Sequence, residues 1–572
     1  MILQALTELY NDLLQRGEIS RPGWAKVKVG FALSLDEKGN VIQIIPQTTE
    51  VKKGEKVYND NRVMVLPTQV KRTSGEVSNF LYDNSGYILG IDGKGKSERT
   101  KKCFEACAEL HKKLLGGVKN KCATAIVSFF ENWDPQKADE NAAVAEYKDE
   151  LIKGANIVFF VNGVFAHDVA EISDIWQKYY DQVSGETINC SVTGEKDVLE
   201  LVHPAVKGVA GAQSSGAAIV SFNAAAFCSY GKEQGANAPI GKKAAFAYTT
   251  ALNHLLADKD NVQKIGDATV VCWAKGAEPQ YTGVSLAALF GNEPPKGMDE
   301  NELLATVKRL ADGLPCEERC LYPDTEFFIL GLSPNNARIV VRFFYRSKFG
   351  ELMKNVNDHH ERMKIVGSKY EYMPLWALLK ETVNLNTTDK VPSPVLAGAV
   401  ARAIFTGSLY PAGLLESTML RIRAERKITS GRAAIIKAYY SKNANQKCPE
   451  EVLTVSLNEN STNIPYTIGR LFAVYEAAQE RANPGIKATI KDKYFNSASA
   501  TPSHIMPLLN NLYQKHLRKM DKGPQVYFEK QVSELSDILG ETLPTRLSLP
   551  EQASFQLGYY HQKQKRFEKK EN

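Results

Sequence analysis

The chain has 572 residues, of which 43% are hydrophobic and 24% are charged, and its 71 basic and 65 acidic residues give a net charge of +6. This composition is typical of globular proteins and excludes a largely disordered chain, while the length predicts several domains. No apolar run reaches the roughly 18 residues of a transmembrane helix, and an odd number of cysteines, nine, favours a reducing compartment, so we expect a cytoplasmic protein without a membrane partner.

The predicted elements begin with an amphipathic helix. In MILQALTELYNDLLQRGE the apolar residues recur at helical spacing, and acids and amides stand where a signal peptide has a basic start. VKVGFALSL, DEKGN and VIQIIP then predict a β-hairpin. The other elements predicted before residue 347 are strands at 63–70 and 87–91, helices at 98–115 and 244–256, buried strands at 155–163, 216–222 and 268–274, and a strand–turn–strand at 327–346.

Strand signals fade beyond residue 347, and the remainder is predicted to be mostly helical. The expected fold class is therefore α+β, with a mixed α/β N-terminal region followed by a mainly α-helical C-terminal region that ends in a helical bundle. We expect three domains: a mixed α/β domain at 1–346, a helical basic connector at 347–450 and a helical bundle at 451–572.

One segment, Gly90–Ser97 (GIDGKGKS), matches the P-loop pattern between a strand-like and a helical segment. A P-loop NTPase also needs an acid at the end of a buried strand to help hold magnesium, and no predicted buried strand ends in a carboxylate. A loop that contacts DNA phosphate through Lys94 and Lys96 is the favoured interpretation. A nucleotide site and a plain surface loop are the alternatives.

Candidate catalytic and metal-binding residues are sparse in the sequence. Cys103 with Cys107 and Cys316 with Cys320 have one-turn spacing, but the pairs are far apart, and buried thiols are favoured over a zinc site. The His359–Glu361 segment, HHE, lies in a charged helix and predicts a solvated face. Because no nucleophile, base and acid form a recognisable set, we expect no enzymatic activity, no metal and no cofactor.

Two basic segments are candidates for binding a nucleic-acid backbone. Arg338, Arg342 and Arg346 are spaced to share one face of a strand, with surface ion pairs as the alternative. Residues 421–442 contain seven cations and one acid, a net charge of +6 that equals that of the whole chain. From this segment we predict contacts to a nucleic-acid backbone by Arg421, Arg423, Arg426, Lys427 and Arg432, with a solvated helix face as the alternative.

Several blocks, taken in order, resemble the large subunit of the type I-C (Dvulg subtype) Cascade complex, a CRISPR surveillance complex. The blocks are MILQALTELYNDLL at the start, KRTSG at 71–75, SNFLYDNSGYILGID at 78–92, and segments 219–256, 329–344, 468–483, 493–509 and 549–564. Because these blocks span nearly the whole chain in order, chance similarity is implausible.

The resemblance implies antiviral defence by recognition rather than by catalysis. The large subunit reads a short protospacer-adjacent motif in double-stranded DNA, stabilises the R-loop and helps recruit the nuclease, whereas guide pairing reads the long sequence. The implied partners are CRISPR guide RNA, double-stranded target DNA, the Cascade backbone subunits, the repeat-processing subunit, a helical small subunit and a helicase-nuclease.

Within this family we expect the flanking motif to be contacted near residues 71–84. The residues predicted to read the flank are Lys71, Arg72, Thr73, Ser74, Asn79 and Asn84, together with Lys94 and Lys96. Cations supply phosphate affinity, and short neutral side chains suit base edges in a groove. The alternative for Asn79 and Asn84 is that they only cap turns. For the whole chain, the alternatives are a P-loop NTPase and a nucleic-acid-binding protein outside CRISPR systems.

Overall fold

The computed structural model divides into two compact units that are described separately. Unit 1 comprises residues 1–204 and 220–251, and unit 2 comprises residues 205–219 and 252–572. The structure describes residues 2–53, 56–70, 76–93, 97–182, 185–384, 386 and 391–567, without the side chains of 51–53, 56–59 and 97. The three-part division at residues 346 and 450 stays a prediction.

Unit 1 mixes helices and strands, as the sequence predicts. Its helices before residue 204 are α1 (Ile2–Gln15), α2 (Ser85–Ile88), α3 (Ser97–Leu115), α4 (Lys121–Asn132), α5 (Ala142–Leu151) and α6 (Ala170–Asp181). Its strands are β1 (Trp24–Val29), β2 (Phe31–Leu35), β3 (Val41–Pro46), β4 (Thr48–Lys53), β5 (Lys56–Pro67), β6 (Tyr82–Asp83), β7 (Ile157–Val161), β8 (Val164–Phe165), β9 (Thr187–Asn189) and β10 (Lys196–Val198). Helix α7 (Lys242–Ala257) follows a long, mostly irregular segment.

The larger sheet of unit 1 has the strand order β3-β2-β7-β6, with β8 paired to β7. The predicted hairpin is confirmed as β2 and β3, and the predicted buried strand β7 lies parallel to β2. A second sheet has the order β1-β5-β4. Aromatic side chains from α4, β7 and α6, among them Phe130, Phe159 and Trp176, fill the core beside the larger sheet.

Unit 2 begins with a four-stranded antiparallel sheet in sequence order. Its strands are β11 (Gln263–Ile265), β12 (Ala268–Ala274), β13 (Glu326–Asn335) and β14 (Arg338–Lys348), and the helices α8 (Pro279–Phe290) and α9 (Glu300–Ala311) lie between β12 and β13 in the chain. The prediction of a strand at 216–222 is wrong, because Ala217 and Ala218 form only isolated bridges. Gly216 has a φ of +98°, which breaks the extended backbone where that strand was expected to begin.

After β14 every longer element assigned in the described residues is an α-helix. These are α10 (Phe349–Met363), α11 (Leu375–Lys380), α12 (Pro394–Thr406), α13 (Ala412–Glu425), α14 (Ser430–Lys442), α15 (Ile464–Ala482), α16 (Ile490–Ala500), α17 (Pro502–Leu517), α18 (Lys522–Leu539) and α19 (Leu549–Lys565). With about 51% helix and 15% strand, the predicted α+β class is confirmed. Within the described part of the chain, no helix combines the length and apolarity needed to cross a membrane.

Helices α15 and α19 form the centre of the C-terminal helical part of unit 2. They pack backbone to backbone, since a Cβ added at Gly469 would collide with the carbonyl oxygen of Phe555, and one added at Gly558 with that of Tyr466. Both helices are buried along most of their length, so neither can shift away without opening the core.

We predict that Gly469→Ala lowers the free energy of unfolding by roughly 1–3 kcal/mol, because the colliding atoms belong to a buried backbone. The matched control is Gly523→Ala in α18, where an added Cβ meets nothing within 4 Å. That change should be neutral or stabilising by up to about 1 kcal/mol, since alanine is the better helix former. Urea denaturation of the full chain measures both, and equal midpoints for the two variants would contradict this packing.

Candidate nucleic-acid interface

Two described residues on either side of segment 71–75 are hydrogen-bonded to each other. Lys71, Arg72, Thr73 and Ser74 lie outside the described residues, as do Lys94 and Lys96. On either side of 71–75, the Val70 N–H donates to Oδ1 of Asn79 at 3.0 Å. This hydrogen bond joins the described chain before the segment to the described chain after it.

Asn79 is itself held in place by its surroundings. Its side chain is buried, with only 1% of the residue exposed, and its N–H donates to Oδ2 of Asp83 at 3.0 Å. Two residues on, the N–H of Leu81 donates to Nε2 of His111 on α3 at 2.9 Å, and burial lowers the pKa of His111 to about 4. In this conformation Asn79 has almost no surface to present to a base, and its role is to position the chain.

Asn84 is the N-cap of helix α2. Its side chain accepts a hydrogen bond from the N–H of Gly86 at 3.0 Å, which satisfies one of the free donors at the start of the helix. The prediction of a strand at 87–91 is wrong because this cap starts a short helix there. The capping role that the sequence left open for Asn84 is the one seen in the structure.

The surroundings of Gly90–Ser97 differ from those of a P-loop. A phosphate-binding loop of that kind connects a buried strand to a helix, whereas here α2 precedes the segment and α3 follows it. Gly90 has a φ of +70° and lies directly against Pro135, so it forms a turn packed on its neighbour. The nucleotide-binding alternative is therefore not favoured.

The arginines of β14 do not share one face of the sheet, so that prediction is wrong. Arg342 is the extra residue of a β-bulge, because the neighbouring ladder pairs are Gly331 with Phe343 and Leu332 with Val341.

The bulge turns Arg342 and Arg346 to opposite faces. Arg342 donates to Ser333 Oγ at 2.9 Å, whereas the Arg346 guanidinium lies 5.8 Å from the ring centroid of Phe328. Ser333 and Phe328 are an odd number of residues apart on β13 and therefore face opposite sides. A single arginine stripe along the sheet does not form.

Both of these arginines are also engaged by carboxylates. Arg342 pairs with Asp267 at 2.5 Å and Arg346 with Glu326 at 2.6 Å. Arg338 lies half-buried at the start of β14. The surface ion pairs named as the alternative are present, and they leave less positive charge for a phosphate backbone.

Two cations of the basic segment 421–442, Arg432 and Lys437, stabilise the fold through contacts inside the protein. Arg432 is only 2% exposed and is held by Glu425 at 2.7 Å and Glu381 at 3.5 Å. Lys437 is buried and donates to the carbonyl oxygen of Arg362 at 2.9 Å, which caps the end of α10. Desolvation lowers the pKa of Lys437 to about 8. Two of the seven cations counted in this segment are therefore buried in the protein interior.

The other predicted cations of this segment differ in exposure. Arg421 lies 3.9 Å from Glu425, and Arg423 is exposed but donates to Gln552 at 2.8 Å. Arg426 and Lys427 are exposed and form no ion pair with another described residue. These two remain the best placed of the predicted set to contact a ligand.

A second group of cations, which the sequence reasoning missed, lies in the C-terminal helical part. We call them the bundle-end cations: Arg481, Lys487, Lys515, Arg518, Lys519 and Lys522, all exposed. The end of α15 contacts the end of α17. Nδ2 of Asn483 lies 3.4 Å from Nδ1 of His516, and Oδ1 of Asn483 accepts a hydrogen bond from Nζ of Lys519 at 3.4 Å.

The bundle-end cations form no ion pair with any described carboxylate. Segment 481–530 contains nine basic and three acidic residues, which is the signal that could have found them. The group was missed because its charges are spread over three helices, α15, α17 and α18, and the connections α15–α16 and α17–α18. Some of these cations lie at the carboxyl-terminal end of α17, where the partial negative charge of the helix carbonyls stabilises a cation. This stabilisation is the alternative to ligand binding as the reason for their position.

The expectation of a solvated face at His359–Glu361 is wrong for both histidines. His359 and His360 are buried. His359 shares a hydrogen bond of 2.6 Å with Tyr410, and His360 one of 3.0 Å with the carbonyl of Ala288. Burial lowers the pKa of His360 to about 4, so it is a neutral core side chain at physiological pH.

Metal-binding residues do not converge in the part of the chain that the structure describes, where no group of three or more His, Cys, Asp or Glu side chains is arranged to hold an ion. Cys103 and Cys107 are buried thiols as predicted, whereas Cys316 is half-buried and Cys320 is exposed.

The full-length comparison decides the family. The sequence matches the family model described as CRISPR-associated protein (Cas_Csd1) over residues 6–567. The chain belongs to the Cas_Csd1 family. The resemblance to a CRISPR-associated protein is thereby confirmed, and an origin outside CRISPR systems is not favoured. No curated protein matches this Cas_Csd1 chain.

We predict that Arg432→Ala in this Cas_Csd1 protein lowers the free energy of unfolding by about 3 kcal/mol, because Glu425 and Glu381 lose a buried partner. The matched control is Arg426→Gly, at an exposed helix end with a φ of +52° that glycine adopts without strain. Urea unfolding midpoints check both changes. An Arg432→Ala variant as stable as the wild type would contradict this structural role, and Arg432 would again be a candidate for binding a nucleic-acid backbone.

Proposed function

We propose that this chain is the large subunit of a type I-C Cascade complex in the cytoplasm, and that it works by binding rather than by catalysis. The family match over nearly the whole chain carries this proposal, and the ordered block resemblance supplies the subtype and the role. Residues 1–346 would serve duplex reading, 347–450 would connect, and 451–572 would supply a bundle that resembles the small subunit.

In this proposal, segment 71–75 recognises the protospacer-adjacent motif in duplex form. Lys71 and Arg72 would contact phosphates, while Thr73 and Ser74 have hydroxyls suited to base edges. The hydrogen bond between Val70 and Asn79 supports the idea, because it holds the described residues on the two sides of the segment in place before any ligand binds. Asn79 is a positioning residue here, and it acts through the loop instead of touching DNA.

Strand binding is assigned to the bundle-end cations together with Arg426 and Lys427. These cations are exposed and lack carboxylate partners among the described residues, whereas Arg342, Arg346 and Arg432 are neutralised by ion pairs. Contacts to a phosphate backbone carry no sequence information, which suits a complex whose sequence specificity comes from guide pairing. Holding the opened strands would stabilise the R-loop.

The remaining partners follow from the same role. The chain would assemble with guide RNA, the backbone subunits, the repeat-processing subunit and a helical small subunit. It would then offer a surface to the helicase-nuclease, to which cleavage belongs.

We predict that the chain, purified by affinity from cells carrying its native neighbouring genes, brings down uniform repeat-derived guide RNA and backbone subunits. Sequencing of the bound RNA and mass spectrometry of the proteins check this. The complex should then prefer duplexes with one flanking sequence over duplexes with a shuffled flank. Guide RNA that is absent, although the array is expressed, would overturn the proposal.

Replacing Lys515, Arg518 and Lys519 together with alanine should weaken DNA binding by the assembled complex without changing its flank preference. The slope of log affinity against log salt should fall by about 0.7–0.9 for each phosphate that the variant no longer neutralises. Arg342→Ala is the control, because its cation is already paired with Asp267, and its slope should match the wild type. An unchanged slope in the triple variant would show that the bundle-end cations only complement the helix ends.

A further inference from the structure

Segment 229–237 of unit 1 presents an aromatic side chain almost entirely to solvent. Tyr230 is 99% exposed, and Phe227 nearby in the chain is 38% exposed. Aromatic residues usually bury a large part of their ring, because that surface contributes most of their stabilisation. A ring that touches almost nothing in the folded chain contributes nothing to the core, so its position calls for a different explanation.

The backbone at this residue is strained. Tyr230 has a φ of +54°, a left-handed conformation that costs a bulky residue roughly 1 kcal/mol or more. Gly231 follows with a φ of +68° and Gln234 has a φ of +44°, so the chain turns sharply at this point. Glycine or asparagine would suit position 230 better if only the turn mattered.

The segment is nevertheless fixed by specific hydrogen bonds. Oδ1 of Asn237 accepts from the N–H of Ser229 at 2.9 Å, and its amide nitrogen donates to the carbonyls of Lys232 at 3.2 Å and Gln234 at 3.0 Å. One asparagine therefore ties both sides of the turn that carries Tyr230.

Gly235 anchors the segment to the chain at residues 200–201. The N–H of Gly235 donates to the carbonyl of Leu201 at 3.0 Å, and a Cβ at Gly235 would collide with the carbonyl of Glu200. The turn is thus held in one conformation, and the strained, solvent-facing tyrosine is maintained by its surroundings rather than tolerated in a loose loop.

We propose that Tyr230 is a stacking residue that receives an unpaired nucleobase of single-stranded nucleic acid. Its ring is open on both faces, as stacking requires, and the exposed Lys232 lies two residues away for the adjoining phosphate. The inference rests on the proposed function and adds a named contact to it. The shared chemistry is a base on a single strand, whether the strand is DNA or RNA.

A protein partner is the competing occupant. Leu201 and Val202 are 50% and 68% exposed, and Gly235 packs on the same stretch of chain. An aromatic anchor in a protein interface is normally surrounded by contacts that exclude water. Tyr230 instead projects from a turn whose flanking residues Ser229, Lys232, Glu233 and Gln234 are polar, which favours a base over a protein pocket.

The test uses the full chain and short labelled oligonucleotides: a thymidine strand, a uridine strand, and an abasic strand of the same length. Tyr230→Ala should weaken binding to base-containing strands by about 5- to 100-fold, as loss of one stack does, and should not change binding to the abasic strand. Tyr230→Phe should keep most of the affinity. The thymidine and uridine strands distinguish a DNA source from an RNA source.

Stability supplies an independent readout. Tyr230→Gly should raise the urea midpoint, because it relieves the left-handed strain, while it weakens binding as much as Tyr230→Ala. A tyrosine that only shaped the turn would not lose affinity on gaining stability. The double variant Leu201→Ser, Val202→Ser should leave strand binding unchanged.

The outcomes separate this inference from the proposed function. If the wild-type chain binds the strands and Tyr230→Ala binds them equally well, stacking at Tyr230 is wrong while strand binding stands. Equal loss on the abasic strand would also overturn stacking. If Leu201→Ser, Val202→Ser and Tyr230→Ala all impair assembly with protein subunits without affecting strand binding, the patch belongs to a protein partner. If neither the wild-type chain nor its assembled complex binds any nucleic acid, the proposed function itself fails.

Discussion

The close approach of α15 and α19 is the constraint on which the helical end of unit 2 depends. Glycines at 469 and 558 let the two backbones touch, and the contact buries both helices. The buried carboxylate of Glu476 on α15 then accepts from Tyr559 at 2.5 Å and from Thr489 at 2.6 Å, which ties α19 and the start of α16 to the same helix. Of the bundle-end cations, Arg481 lies on α15 itself, and the others lie on α17, on α18 or in the connections α15–α16 and α17–α18.

Positive charge in this protein has two distinct uses that composition does not separate. Arg432 and Lys437 are buried and hold helices together through carboxylates or carbonyls. Removing such a charge exposes an uncompensated partner, so these residues matter first for stability. The bundle-end cations lie on the surface without carboxylate partners among the described residues, and their value to the fold is small. A nucleic-acid backbone is the ligand that such unpaired charge suits best.

Asparagine side chains shape the loops that matter most for the proposed function. Asn79 closes the base of segment 71–75, Asn84 starts helix α2, and Asn237 ties the turn that carries Tyr230. Each bonds to backbone groups rather than to solvent, as short amide side chains do in turns and caps. Asparagine side chains thus fix the described backbone at each of these places through hydrogen bonds rather than through a hydrophobic core.

The sequence by itself determined the family, the α+β class and most long elements, because periodicity and ordered blocks are local properties of the chain. It did not determine which cations are available. Arg342 meets Asp267 and Arg432 meets Glu381, pairs separated by 75 and 51 residues, and a single bulge residue turned Arg342 and Arg346 to opposite faces of the sheet. The exposure of Tyr230 also came only from the tertiary structure. Burial and ion pairing depend on residues distant in sequence, so only the folded chain decides them.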